Sequence, residues 1–218
     1  MQKKIKFIKP VISRTFAGMN AVNSTAVHVA VFASGTGSNT QKIIDYFRKH
    51  DRIKISLIVC NKPGAGVLQI AEREKIPALL IEKEKFFGSD FYATEMKARN
   101  IGFIVLAGFL WKIPAWLLNL FPGHIINIHP ALLPAYGGKG MYGSRVHAAV
   151  IEAGEKESGI SIHFVDDQYD HGPLIFQARF NISPADTTDS LAQKIHALEY
   201  EHYPPIIEKV IANLQNRR

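Results

Sequence analysis

Cysteine is almost missing: Cys60 is the only one in 218 residues, so no intrachain disulfide framework can form, and the chain suits a reducing compartment, with the cytoplasm as the default. Long apolar runs are missing as well. The nearest, residues 103–121, is interrupted by Lys112, Pro114 and Asn119, with a strand end at Gly108, and reads as strand, turn and short helix rather than as a membrane span. No HxH, HExxH or CxxC pattern occurs, so no metal site is expected. Acidic residues are absent before Asp45. The first 26 residues carry Lys3, Lys4, Lys6, Lys9 and Arg14, which leaves only +2 of the net +7 for the rest. The basic balance therefore belongs to a tail and not to a nucleic-acid-binding face. That tail lacks the continuous apolar stretch of a secretory signal. It reads as a disordered basic extension over 1–26, or as a lead-in to a start at Met19, rather than as a transit peptide. No repeat or low-complexity linker divides residues 27–218, so they are expected to form one domain.

What is present is regular. At 47% apolar, the chain can bury a sizeable core. From His28 an apolar strand runs into a glycine-rich turn at Gly35 to Ser38 and then an amphipathic helix over 39–50. Branched residues predict a second strand over 55–61, then a Pro-Gly-Ala-Gly turn and a helix to Lys75. A third strand over 77–81, a helix over 90–100, a buried strand over 103–107, a helix over 114–120 and a fifth strand come next. This alternation predicts an α/β fold with a single doubly wound, mostly parallel sheet covered on both faces. A helix over 144–153, β segments over 159–166 and 173–182, and a helical pattern over 187–215 complete the chain. Pro204 and Pro205 are expected to split that last helix in two, because proline removes a hydrogen bond and clashes with the preceding turn.

The fifth strand carries the first chemical signal. It reads HIINIHP, and the i, i+2 spacing sets the Asn127 amide and the His129 imidazole on one side of the sheet at the strand's carboxyl end, where open parallel sheets bind ligands. As an isolated pair they read better as an asparagine satisfying a loop and a core histidine. Asp170 shifts the balance. It lies 41 residues beyond His129 in a DxxDHG turn that core packing does not explain, and a carboxylate beside an imidazole favours the imidazolium and orients the ring. Donor, acid or base, and tuning group together suit acyl transfer. The turn SGTGSN, residues 34–39, suits a phosphate at a helix start. It departs from GxGxxG at Thr40, and a plain tight turn is an equal reading. Phe109, Leu110 and Trp111 are either core or the wall of an apolar slot for a flat heteroaromatic ring. His147, His163, His171, His196 and His202 read as surface or packing residues, and Glu199 with His196 as a solvated helix face.

Taken in order, SGTGSN at 34–39, VLAGFL at 105–110, NIHPALLP at 127–134 and SIHFVDDQYDHGPLIFQ at 161–177 make the chain resemble the phosphoribosylglycinamide formyltransferases from His28 to about Pro204. The resemblance implies a Rossmann-like formyltransferase domain over 27–218 that moves a formyl group from the co-substrate 10-formyltetrahydrofolate to the amine of phosphoribosylglycinamide, without metal. It implies that Gly37, Ser38 and Asn39 hold the phosphate and that Glu199 holds the ribose hydroxyls. Leu110, Trp111, Lys112 and Ile113, with Asn127 and the loop of Val165, Asp166 and Asp167, would line the folate slot. Asn127 and His129 would stabilise the oxyanion, and Asp170 would keep His129 protonated or relay a proton through water. The partners implied are small molecules, with no nucleic acid and no membrane, and the chain would act as a monomer or a homodimer.

Three positions depart from the family pattern: a longer loop from Tyr136 to His147, Trp111 where relatives often carry arginine, and Ser89 where they often carry a basic residue. Two other readings compete. One keeps the chemistry with a sugar-nucleotide or methionyl-tRNA acceptor, and the other is a non-catalytic nucleotide- or folate-binding module. The phosphate turn favours a small phosphorylated acceptor, and binding alone would not require Asn127, His129 and Asp170.

Overall fold

The computed structural model describes residues 26–216; all of the expected basic extension except Ala26 lies outside them. Strands form where branched residues crowd together. β1 (Val27–Ala33), β2 (Ile53–Cys60), β3 (Ala78–Leu80), β4 (Ile101–Leu106) and β5 (Ile125–His129) run parallel in the spatial order β3-β2-β1-β4-β5. The crossovers contain α1 (Ser38–Phe47), α2 (Gly66–Arg73), α3 (Lys83–Gly88), α4 (Ala93–Ala98) and α5 (Ala115–Leu120). After β5 come α6 (Ser144–Glu152), then β6 (Glu157–Phe164) and β7 (Leu174–Asn181). These two strands extend the sheet antiparallel from β5, and α7 (Thr188–Gln215) closes the chain.

Side-chain alternation explains the two layers. Val29, Val31 and Ala33 of β1 enter one core with Ile43 and Phe47 of α1 and Ile195, Tyr203 and Ile207 of α7. Their neighbours Ala30 and Phe32 enter the other, with Phe86, Met96 and Leu117 of α3, α4 and α5. The doubly wound sheet follows from this division.

The strand order reverses between β1 and β4, which opens a crevice beyond their carboxyl ends. Ser34, the residue after β1, latches this crevice. Its amide donates to Gly108 O at 3.1 Å, its hydroxyl donates to Asn61 Oδ1 at 2.6 Å, and that hydroxyl accepts from Leu110 N at 3.0 Å. One small side chain thus joins the loops that follow β1, β2 and β4.

The structure corrects the sequence reading in three places. α7 runs unbroken through Pro204 and Pro205. Glu199, Tyr203, Ile207, Val210 and Ile211 continue one buried stripe across the prolines, and Thr187 with Ser190 forms a capping box at its start. Burying each large aliphatic side chain contributes about 1.5–3 kcal/mol, which together outweighs about 3 kcal/mol per interior proline. α3 has no counterpart in the sequence pattern, because its six residues are too few to show a period and only Phe86 anchors it in the core. α4 is shorter than the expected 90–100. Tyr92, just before it, instead accepts the Glu82 amide at 2.9 Å. Among the described residues no helix is long and apolar enough to cross a membrane.

Candidate active site

β5 ends in two polar side chains, and the antiparallel strand beside it supplies a third. Asn127 pairs in register with His163 and His129 with Ser161. Ser161 is structural: its hydroxyl donates to Ala131 O at 2.7 Å and accepts from Leu133 N at 2.9 Å, which fastens the chain leaving β5. His163 is polar machinery of another kind. Its Nδ1 lies 2.7 Å from Phe164 O, so the proton sits there and the Nε2 lone pair accepts from Asn127 Nδ2 at 3.1 Å.

Asp170 enters from the turn between β6 and β7 at φ 53°. Its Oδ1 accepts from Asn127 Nδ2 at 3.3 Å and its Oδ2 from Gly138 N at 2.9 Å. Oδ2 also lies 3.4 Å from His129 Nδ1, and Oδ1 lies 3.6 Å from His163 Nε2. Burial pushes the Asp170 carboxyl up, but the His163 and His129 rings and the Gly138 amide outweigh it and hold the group below its ordinary value. His129 is 3% exposed, and its Nε2 donates to Tyr136 O at 2.8 Å. Burial is the larger influence on this ring, and the opposing pull of Asp170 does not offset it; His129 is lowered and rests neutral at pH 7. The Nδ1 lone pair then faces a carboxylate oxygen, an arrangement that lacks only a proton.

A cavity of about 410 Å³ opens beside this cluster and reaches the turn after β1. Gly37 occupies the cap position of α1 in the left-handed region, φ 82°, and no side chain caps the helix. A Cβ on Gly37 would sit 2.9 Å from Val67 Cα, so glycine is needed for both the conformation and the close approach. The first amides of α1 therefore face the cavity's end without a side-chain cap, which suits an anion. Asn39 turns away from capping and donates to Glu199 Oε2 at 2.9 Å; His196 Nδ1 lies 2.9 Å from the same oxygen. The Glu199 carboxylate raises the His196 pKa against the effect of burial. His147 lines this end too. It is 4% exposed, its Nδ1 has no partner among the described residues, and burial lowers its pKa.

On the other side of Asn127 lies a narrower slot of about 60 Å³. Trp111, Lys112, Ile113, Val165 and Asp166 line it with Asn127, Asp170 and His163. Leu110 faces the larger cavity instead, and Asp167 borders neither. Trp111 belongs to an aromatic cluster: its ring centroid is 5.8 Å from Phe86 and 5.6 Å from Phe87.

Asn127, His129 and Asp170 are thus brought together, and Gly37, Ser38, Asn39 and Glu199 border the same cavity. Glu199 is 5% exposed, so the solvated-face reading is overturned: the helix turns it inward against α1. His163 escapes the sequence reading. Its only sequence signal is the alternation Ser161-x-His163, which points both to one face, and its role rests on a cross-strand register that no local pattern reveals.

Comparison with known proteins gives the chain a family. Residues 27–207 match the family model described as formyl transferase. The Bacillus subtilis phosphoribosylglycinamide formyltransferase is 36% identical over 193 residues, covering 86% of this chain and 96% of that protein. The chloroplastic phosphoribosylglycinamide formyltransferase of Arabidopsis thaliana is 38% identical over 82% of this chain, which spans 63% of that protein's length. Among solved structures, glycinamide ribonucleotide transformylase 1 from Geobacillus kaustophilus superposes with a TM-score of 0.76 at 37% identity, covering 84% of this chain and 97% of that one. The matched segment holds all seven strands and most of α7, so the chain belongs to the formyl transferase family.

Proposed function

We propose that this protein transfers the formyl group of 10-formyltetrahydrofolate to the amine of phosphoribosylglycinamide, a step of de novo purine synthesis. One observation carries the reading: the buried Asn127–His129–Asp170 cluster stands between a helix start suited to phosphate and an aromatic-walled slot suited to a pterin. The names of the relatives point to the same acceptor.

In this reading Gly37, Ser38 and Asn39 hold the phosphate, Glu199 the ribose hydroxyls, and the slot from Trp111 to Ile113 and Val165 to Asp166 the pterin. The amine lone pair attacks the formyl carbon, the new C–N bond forms, and the carbonyl electrons move onto oxygen. Asn127 supplies a donor to that oxygen. Its 3.3 Å contact with Asp170 is longer than the usual 2.7–3.2 Å range, so that hydrogen is the one a stronger acceptor takes. The ammonium of the tetrahedral intermediate must lose a proton, and the departing folate nitrogen must gain one before its bond to carbon breaks. The His129 Nδ1 lone pair and Asp170 Oδ2, 3.4 Å apart, form a receiver for that proton, which a water can carry onward. Once protonated, His129 also offsets the oxyanion charge.

The test is a formyl-transfer assay with glycinamide ribonucleotide beside other amine acceptors. Formylation of the ribonucleotide at the highest kcat/KM is expected. A preference for an amino-sugar nucleotide or methionyl-tRNA would transfer the chemistry to a different acceptor, and folate binding without any turnover would make the protein a binding module.

A further inference from the structure

Asp170 and Glu199 are the acidic side chains lining the 410 Å³ cavity, and among its lining residues Lys62 alone is lysine or arginine. A phosphate dianion placed on the Gly37–Asn39 turn would meet two carboxylates and, apart from the partial charge of the helix start and the His196 ring already paired with Glu199, one free countercharge. We propose that Lys62 is a specificity-determining residue: its ammonium pairs with the acceptor's phosphate and makes the enzyme prefer a phosphomonoester to the same ribonucleoside without phosphate. This rests on the acceptor reading above and adds the residue that discriminates its charged group.

Three ties hold the Lys62 backbone at that place. The buried Cys60 thiol donates to Lys62 O at 3.3 Å, and its sulfur accepts from Lys62 N at 3.4 Å. Asn61 is fixed by the Ser34 hydroxyl at 2.6 Å. Farther on, Val67 N donates to Gly35 O at 3.2 Å, and a Cβ on Gly66 would come within 2.8 Å of Thr36 O, so the loop after β2 is interlocked with the phosphate turn itself. The backbone is fixed while the side chain is exposed, and its ammonium has no hydrogen bond or ion pair among the described residues. An ammonium supplies a compact charge and three rotatable donors, which suits a phosphate without demanding one bidentate geometry.

The test compares wild type, K62M and K62R with phosphoribosylglycinamide and with its dephosphorylated ribonucleoside, and measures inorganic phosphate binding by calorimetry. K62M should raise the KM for the ribonucleotide about tenfold or more, with a smaller change in kcat, and should cut the preference for the phosphorylated acceptor by a similar factor. K62R should recover most of the preference, and inorganic phosphate should bind K62M more weakly than wild type. An unchanged preference together with unchanged phosphate affinity would overturn the role of Lys62. Absence of ribonucleotide turnover by wild type would instead remove the acceptor reading, and the phosphate titration would still decide for or against Lys62.

Discussion

The two ends of the cavity are built from different materials. The end at the start of α1 is main chain: Gly37 and the first amides of a helix, held by loops that approach too closely for a Cβ. The end at β5 is side chain: Asn127, His129 and Asp170, with His163 behind Asn127, linked to one another and tied to the main chain at Tyr136, Gly138 and Phe164. Backbone amides keep the same partial charge at any working pH and suit a group that only has to be held. A buried imidazole beside a carboxylate changes its charge for a small change in surroundings, and suits a group that has to react. Binding at one end and proton traffic at the other should therefore separate in kinetics.

The largest test of that separation is His129→Ala. It should lower kcat by about 10²-fold or more while leaving the ribonucleotide Kd near wild type, and Asp170→Asn should behave alike. Loss of ribonucleotide binding in either variant would show that the two ends are one unit. Ser38→Asp attacks the other end. It places a carboxylate at the helix start and should raise the ribonucleotide KM by about tenfold or more through charge repulsion with the phosphate, with kcat largely kept. An unchanged KM would move the phosphate elsewhere.

Acid should act on histidines at both ends, with His196, raised by Glu199, gaining stability on protonation and opposing the loss at the buried rings. Burial lowers His129 and His147 in the folded protein, so their stabilising contribution is complete above the unfolded histidine value of about 6.5 and is lost as pH falls below it toward the folded values. Asp170, lowered on balance, holds its contribution until pH falls through about 3.8 and below. Melting temperature should fall between pH 7 and pH 5, with kcat falling alongside as His129 fills its receiving lone pair. A kcat that rises on acidification would assign His129 the role of a resident acid. The smallest effect is expected from Tyr203→Phe. Removing a buried hydroxyl that serves two backbone carbonyls should cost about 1–3 kcal/mol in denaturant unfolding.

Much of this was legible in the sequence, for reasons that the particular residues make plain. The parallel strands declare themselves as branched runs, and Asn127 and His129 stand out because polar groups interrupt one of them. Asp170 is visible because nothing in core packing calls for DxxDHG. His163 carries no such mark, since it is placed opposite Asn127 by the antiparallel register of β5 and β6. The inward turn of Glu199 and the continuity of α7 through two prolines were also hidden. Both depend on what α7 packs against: Glu199 lies 160 positions from Asn39 in sequence, and the buried stripe it belongs to cannot be weighed until the fold brings its partners together.

Tyr203 shows what that helix does besides burying surface. Its hydroxyl oxygen lies 2.9 Å from Leu106 O and 3.3 Å from Ile126 O, a single proton shared between the last residue of β4 and the residue that precedes Asn127. One helical turn earlier on α7 is Glu199. In the proposed function, the helix that would hold the acceptor is thereby registered, through one atom, to both strands that would serve the donor. Reacting atoms must come within about 3–3.5 Å to form a bond, and a shift of about one ångström can cost a hundredfold in rate. In a two-substrate site the decisive tolerance is the distance between the two holders. Tyr203 is a gauge for that distance, placed where neither substrate reaches it.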